Sequence, residues 1–404
     1  MQIKVEGTPA SAFNLAALET AFQATSLGGL GVFESGQHPI IVGQGAYNSA
    51  YGSGFQNNGP DAGLVQIFDT SFTFKTLFGG ATGPSLVDMP LQPKMIQDEM
   101  GEAYEQAYGR MSGFLGLEMP NAQAGAQNMI LYPFVNPPSE LIDATNLPQA
   151  LTAVTPISVT NDGTQIWKIT HNGVDTHPIH FHLYDVQLIN RVGWDGIIRK
   201  PDANELGWKD TIRISPLEDT IVALRPIVPQ VPFDLPNSVR PLNPMMPLGS
   251  KMMFNNVDAW GIPTADIINS YTNFGWEYMW HCHILSHEEM DMMRAVAVAQ
   301  PPIAPTNLIT TTLTVTDSVQ LDWTDNSLNE TSFVVQRATA VDGPWTDVAT
   351  LDPDVTTYTD LSIPPGDYFY QVIASNLVGY VEVDGYSTLE VTSTSNIVQF
   401  TVPA

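Results

Sequence analysis

Alternation of apolar and polar positions is clearest in the last quarter of the chain. Val319-Gln320-Leu321-Asp322-Trp323, Phe333-Val334-Val335 and Tyr368-Phe369-Tyr370-Gln371-Val372 carry it, and a period of two is that of half-buried antiparallel strands. Between Leu151 and Gln300 the pattern becomes β-branched apolar runs separated by turn residues. Ile157-Ser158-Val159-Thr160, Gln165-Ile166-Trp167-Lys168-Ile169 and Thr220-Ile221-Val222-Ala223-Leu224 together predict a sandwich or barrel. One stretch departs from this. From Leu91 to Gly116, Met95, Ile96, Met100, Tyr104 and Tyr108 recur at helical spacing among acidic residues, which predicts a short amphipathic helix. Residues 1–91 are rich in Gly, Ala, Ser and Asn, as in Gly45-Ala46-Tyr47-Asn48-Ser49-Ala50-Tyr51-Gly52-Ser53-Gly54, and read as loops with a few short strands.

The segment Pro301-Pro302-Ile303-Ala304-Pro305 cannot continue a central strand and reads as a linker. Charge changes there too: beyond it a single basic residue, Arg337, faces 13 acidic ones. The expected organisation is an irregular segment 1–91, an all-β domain 92–300 and a second all-β domain 301–404.

Fifteen Lys and Arg against 42 Asp and Glu give a net charge of −27. Such a surface repels phosphate backbones and anionic lipid, which argues against nucleic acid and membrane partners. Charged residues are only 14% of the chain, so the imbalance comes from scarcity of Lys and Arg, as suits a secreted, periplasmic or cell-surface protein. No apolar run approaches the ~20 residues of a membrane span, and Met1-Gln2-Ile3-Lys4-Val5-Glu6 lacks the order of a signal peptide, so an export signal is expected to lie outside these residues. The single cysteine, Cys282, excludes an intramolecular disulfide and any multi-thiolate zinc or iron–sulfur site.

Chemistry concentrates in the histidines. Six of the eight fall in two clusters, His177-Pro178-Ile179-His180-Phe181-His182 and His281-Cys282-His283-Ile284-Leu285-Ser286-His287. On extended strands side chains alternate faces, so His180 and His182 share a face, while Cys282 opposes His281 and His283. Two metal sites back to back are therefore expected. Cys282 with His177 and His287 makes a thiolate and two imidazoles, the donor set of a blue copper centre. A thioether is its usual weak axial ligand; Met290, Met292 and Met293 follow closely, and spacing prefers Met292. On the opposite face His180, His182, His281 and His283 offer four imidazoles, a set that suits a multi-copper cluster.

His177-Pro178-Ile179-His180-Phe181-His182-Leu183 and the run from His281 through His287-Glu288-Glu289-Met290-Asp291-Met292-Met293-Arg294 resemble the third and fourth copper motifs of multicopper oxidases. The pattern is closest to the bilirubin oxidase and spore-coat laccase branch, which Gly207-Trp208-Lys209-Asp210-Thr211-Ile212 also resembles. The likeness runs from about Gln92 to Gln300 and implies a cupredoxin-like Greek-key barrel or sandwich. It implies type 1 copper at His177, Cys282 and His287 with Met292 axial, His180 on type 2 copper, and His182, His281 and His283 on the type 3 pair. It further implies that Glu288 relays protons. In the last domain, Trp323, Tyr358-Thr359-Asp360-Leu361 and Pro364-Pro365-Gly366-Asp367-Tyr368 resemble a fibronectin type III module, with Tyr368 at the tyrosine-corner position.

Several residues have weaker claims. Asp210 and Glu289 read as strand-end or surface carboxylates, His171 and His38 as surface histidines. The long stretch from Val228 to Phe274 holds Met245, Met246, Met252 and Met253, which read as packing groups. The two further His-x-His motifs of a complete oxidase are absent: His38 is the sole histidine upstream of His171. The expectation is the C-terminal copper-binding part of a laccase-like oxidase. It would take electrons from a phenol or low-valent metal ion and reduce O2 to water, with half the cluster ligands supplied by a missing cupredoxin domain or partner chain. The alternative is a non-catalytic, single-copper cupredoxin of an adhesive or copper-binding surface protein.

Overall fold

A computed structural model describes residues 7, 12–22, 64–67, 69–75, 86–97, 104–105, 110–111, 114–119, 129–130, 137–138, 140–145, 147, 163–229, 231–244, 246–251, 265–289, 292–313, 317–382 and 386–403. Strands dominate them, as the alternating pattern requires, and none of their helices is long and apolar enough to cross a membrane.

Two sheets face each other in the first unit. One orders the strands Ile198–Arg199, Tyr184–Gly193, Glu218–Pro226, Gln165–His171, Leu86–Gln97, Phe114–Met119 and Met129–Ile130. The other orders Thr211–Ile214, His177–His182, Trp276–Cys282, Met293–Ala299 and Leu141–Asp143. Between them lies one core, in which Trp167, Phe181, Val222, Leu224, Trp280 and Cys282 are all buried. The resulting all-β sandwich agrees with the cupredoxin-like expectation.

Among the described residues of 91–116, where the spacing predicts a helix, none is helical. Leu86–Gln97 is a strand, parallel to Gln165–His171 and antiparallel to Phe114–Met119, and Tyr104–Glu105 pairs with Arg110–Met111. Pro90 and Pro93 would obstruct a helix. Leu91, Met95 and Ile96 are buried because the strand sits inside the sheet, covered on both faces. The expected break at residue 91 thus falls within a strand. Upstream, Val65 and Phe72 pack with Leu91, Ile166, Ile221 and Ala223 on the sheet's outer face, and Asn190 bonds both the N–H and the C=O of Val65 at 2.9 Å. Met100, Tyr108 and the Gly45–Gly54 stretch lie outside the described residues.

A second sandwich follows residues 301–305, which form no strand. One of its sheets contains Thr306–Thr312, Val319–Thr324 and Thr357–Asp360; the other is centred on the long strand Gly366–Gly379. Tyr368, Tyr370, Val372 and Ala374 share the inward face of this strand: Tyr370 is buried, its hydroxyl donating to Asp360 at 2.8 Å, and Tyr368 is half-buried against the same core, beneath Arg337.

The two sandwiches press together. Ala297, Ala299, Val378 and Val391 form a shared apolar cluster, and Asn376 donates to Asn237 and to the Gln300 carbonyl at 3.2 and 3.0 Å. Gly275 sits at this seam with φ +61°, where a Cβ would collide with the Val298 carbonyl oxygen; glycine alone fits.

Candidate metal centre

Register brings the two histidine clusters together. In the antiparallel pair of His177–His182 and Trp276–Cys282, His281 lies opposite His180 and Cys282 opposite Ile179. Alternation then turns His177, Ile179, Phe181, Tyr278, Trp280 and Cys282 toward the core and His180, His182 and His281 away from it.

On the core side, His177 Nδ1 stands 3.2 Å and His287 Nδ1 3.6 Å from Cys282 Sγ. The three donor atoms lie within 4.8 Å of one another. His177 and Cys282 are fully buried, and His287, on the short helix Leu285–Glu288, is half-buried. The Ile284 N–H points at the sulfur at 3.5 Å. Met292 is buried in the same core cluster, and its backbone is tied to the centre: its carbonyl accepts from Cys282 N–H and its N–H donates to the His287 carbonyl, both at 3.0 Å. Of the two candidate methionines among the described residues, Met292 is the one buried in the core that holds Cys282, whereas Met293 is half-buried. Two imidazole nitrogens and one sulfur, two of the three donors fully buried, form a soft donor set that fits copper.

On the opposite face, ligand nitrogens of His180, His182 and His281 also lie within 4.8 Å. His182 Nε2 and His281 Nε2 approach to 3.0 Å. Backbone carbonyls select which nitrogen is free: His180 Nδ1 donates to the Asp210 carbonyl at 2.8 Å, and His281 Nδ1 to the Cys282 carbonyl at 3.0 Å. Each Nε2 keeps its lone pair. Burial, then the neighbouring imidazoles, lowers the pKa of His182 below the usual histidine value. His281 is lowered too, chiefly by burial, against the opposing pull of the Cys282 carbonyl and Glu288. Neutral imidazoles are the form a metal binds. His283 stands beside the group, its ring 5.4 Å from that of His180 and 5.3 Å from that of His281.

Glu288 reaches this face, with Oε2 3.4 Å from His283 Nδ1 and 3.9 Å from His281 Nδ1. Asp210 contributes its backbone, which also accepts from Phe181 N–H at 2.9 Å, and Glu289 is exposed. His171 is not at the surface: it is wholly buried, with its ring edge-on to His177 at 5.0 Å. Sequence reasoning missed it because it lacks an i+2 partner; the signal available was its place at the end of an apolar strand run. His38, Met245, Met252, Met253 and Met290 lie outside the described residues. One further trio, the carboxylates of Asp325, Glu330 and Asp354 in the second sandwich, accepts loop N–H groups from Ser327 and Asp354, as turn-stabilising carboxylates do.

Residues 129–231 and 266–302 match the multicopper oxidase family. A laccase of Haloferax volcanii is 28% identical over 138 residues, which cover 34% of this chain and 16% of that protein. The chain thus spans well under two thirds of that relative. Among solved structures, a multicopper oxidase from Pediococcus acidilactici aligns at 18% identity over 53% of this chain and 27% of its own, with TM-score 0.26. A Fn3-like protein from Clostridium thermocellum aligns at 25% identity over 26% of this chain and 97% of its own, with TM-score 0.21.

Proposed function

Given that the chain carries a multicopper oxidase domain over residues 129–231 and 266–302, we propose that it is the copper-binding C-terminal part of a laccase-like oxidase. It takes electrons from a phenolic or low-valent metal-ion donor and passes them to O2. The observation that carries this reading is the pair of donor groups back to back across one strand, His177, Cys282 and His287 on one face and His180, His182 and His281 on the other. Bound copper would supply one-electron redox chemistry at these donors.

The remaining roles belong to the chain. His287 is the least buried of the three inner donors, so an external donor reaches the centre at its edge. Cys282 is one peptide bond from His281 and from His283, which makes the two faces covalently continuous and provides a through-bond route between them. Glu288 Oε2 stands beside His283 and His281, placed to pass protons where O2 reduction consumes them. By analogy with the family, His180 would serve the type 2 position, and His182, His281 and His283 the type 3 pair. The sequence has no third His-x-His pair, so we assign the remaining imidazoles to another cupredoxin domain or a partner chain. We read the second sandwich as a fibronectin type III-like spacer or adhesive module, and the location as secreted, periplasmic or cell-surface.

One observation favours a second reading, a non-catalytic single-copper cupredoxin: outside the two clusters the chain has only His38 and His171. Copper analysis, visible spectroscopy and oxygen-electrode kinetics on the full chain test both. The copper-loaded protein should show an intense thiolate-to-copper absorption that Cys282→Ser abolishes, with about one copper held firmly. Survival of the colour in Cys282→Ser would overturn the assignment. Oxygen uptake with a phenol or Fe(II) once the missing domain is supplied supports the oxidase; none under any supplementation favours the single-copper reading. About four firmly held coppers with turnover in a strict monomer would refute the incompleteness.

A further inference from the structure

We propose that His171 is a positioning residue that fixes the His177 ring and thereby sets the geometry around Cys282; this rests on the reading of His177, Cys282 and His287 as copper ligands. His171 closes the strand Gln165–His171 and is wholly buried. Both ring nitrogens are engaged inside the five-residue loop that leads to His177. Nδ1 accepts the Gly173 N–H at 3.1 Å, and Nε2 donates to the Asp175 carbonyl at 2.6 Å. That leaves no lone pair free to bind a metal and defines one tautomer.

The backbone of His171 is anchored as well. Its carbonyl accepts the Leu217 N–H at 2.9 Å, and it pairs with Glu218 on one side and Ile96 on the other. From this fixed platform the ring meets His177 edge-on, with centroids 5.0 Å apart and planes at 63°. The His287 ring also contacts His177, with centroids 5.1 Å apart. His177 is therefore packed against two imidazoles. Only His287 shares the metal site, and the fixed His171 ring restricts rotation of the His177 ring away from the sulfur. A ring immobilised by a second residue keeps its nitrogen on the donor position when the metal leaves, and loss of such outer partners weakens metal sites by about 10–100-fold.

The test uses the full chain and added Cu(II). His171→Ala removes the ring, His171→Gln keeps an acceptor and a donor for the loop without the ring, and His171→Phe keeps the ring without them. Leu224→Ala, in the same core but at the far end of its strand from Glu218, serves as the control for general loosening. Expected are a shifted or at least roughly two-fold weaker thiolate-to-copper band and about 10-fold or more weaker copper binding in the Ala and Gln variants. The Phe variant should keep the band position, as should Leu224→Ala. Wild-type band and affinity in a folded Ala or Gln variant would overturn the proposal, as would an equal change in Leu224→Ala. Absence of the band from the wild-type protein would instead sink the copper-ligand reading itself. If His171→Ala does not fold, the contrast between the Gln and Phe variants carries the same decision.

Discussion

Glu140→Ala should destabilise the copper-binding sandwich by roughly 3–5 kcal/mol, the loss seen when one partner of a buried ion pair is removed. Glu140 joins two buried cations, Lys94 Nζ at 2.9 Å and Arg294 Nε at 3.5 Å, and the three side chains are 8%, 2% and 1% exposed, respectively. Lys94 also stands 4.6 Å over the Trp167 ring, and Arg294 pairs in register with Trp280, two residues before Cys282. Were these surface contacts, the effect would be at most about 1 kcal/mol; burial decides for the larger figure, because both cations would lose their carboxylate in a site closed to water. For a unit of this size each 1 kcal/mol moves the melting temperature by about 2–4 °C, so a drop of roughly 6–20 °C is expected in the transition of the copper-free chain followed by calorimetry. The double variant Glu140→Leu with Lys94→Met should recover part of the loss, as apolar replacement of buried ion pairs does. A decrease below about 1 kcal/mol, or no recovery, would refute the view that this cluster is desolvated and mutually dependent.

Other outcomes follow from the same geometry. Burial lowers the Lys94 pKa below 10.5, against the opposing influence of Glu140. The penalty of a buried cation is therefore present below its folded pKa and relieved as pH rises toward the unfolded value, so wild type should gain stability relative to Lys94→Met between neutral and alkaline pH; urea titrations showing the opposite slope would count against it. Met292→Leu should keep the visible band of the copper-loaded protein and raise its reduction potential, since a donor favouring Cu(II) is lost; an unchanged potential in voltammetry would remove Met292 from the site. Gly275→Ala should cost at least about 1–2 kcal/mol, because its Cβ would meet the Val298 carbonyl at φ +61°, and a melting temperature equal to wild type would contradict the seam described. Asn376→Ala removes donors to Asn237 and Gln300 and should separate the two sandwiches into distinct calorimetric transitions; a curve superposable on that of wild type would exclude it as a coupling residue.

What the local sequence determined is everything that depends on the two-residue period of a strand. His177-x-x-His180-x-His182 and His281-Cys282-His283 assign Cys282 and His281 to opposite faces whatever the rest of the chain does, because successive side chains on a strand alternate. The donor types on each face, and hence copper, follow from that alternation. Burial and partner choice do not, because they depend on what arrives from elsewhere. Leu86–Gln97 carries apolar residues at spacings compatible with a helix, and it is a strand because Gln165–His171 and Phe114–Met119 take its backbone hydrogen bonds. His171, with no motif around it, is buried because its strand ends where the loop to His177 folds back over it. Tyr368 and Tyr370 share the inward parity of Gly366–Gly379, yet only Tyr370 is fully buried, a difference set by what packs over each ring. The proton positions on His180 and His281 come from the carbonyls of Asp210 and Cys282. Such groups are invisible to a reading by residue type: every residue has a carbonyl, and only the folded backbone decides where it points.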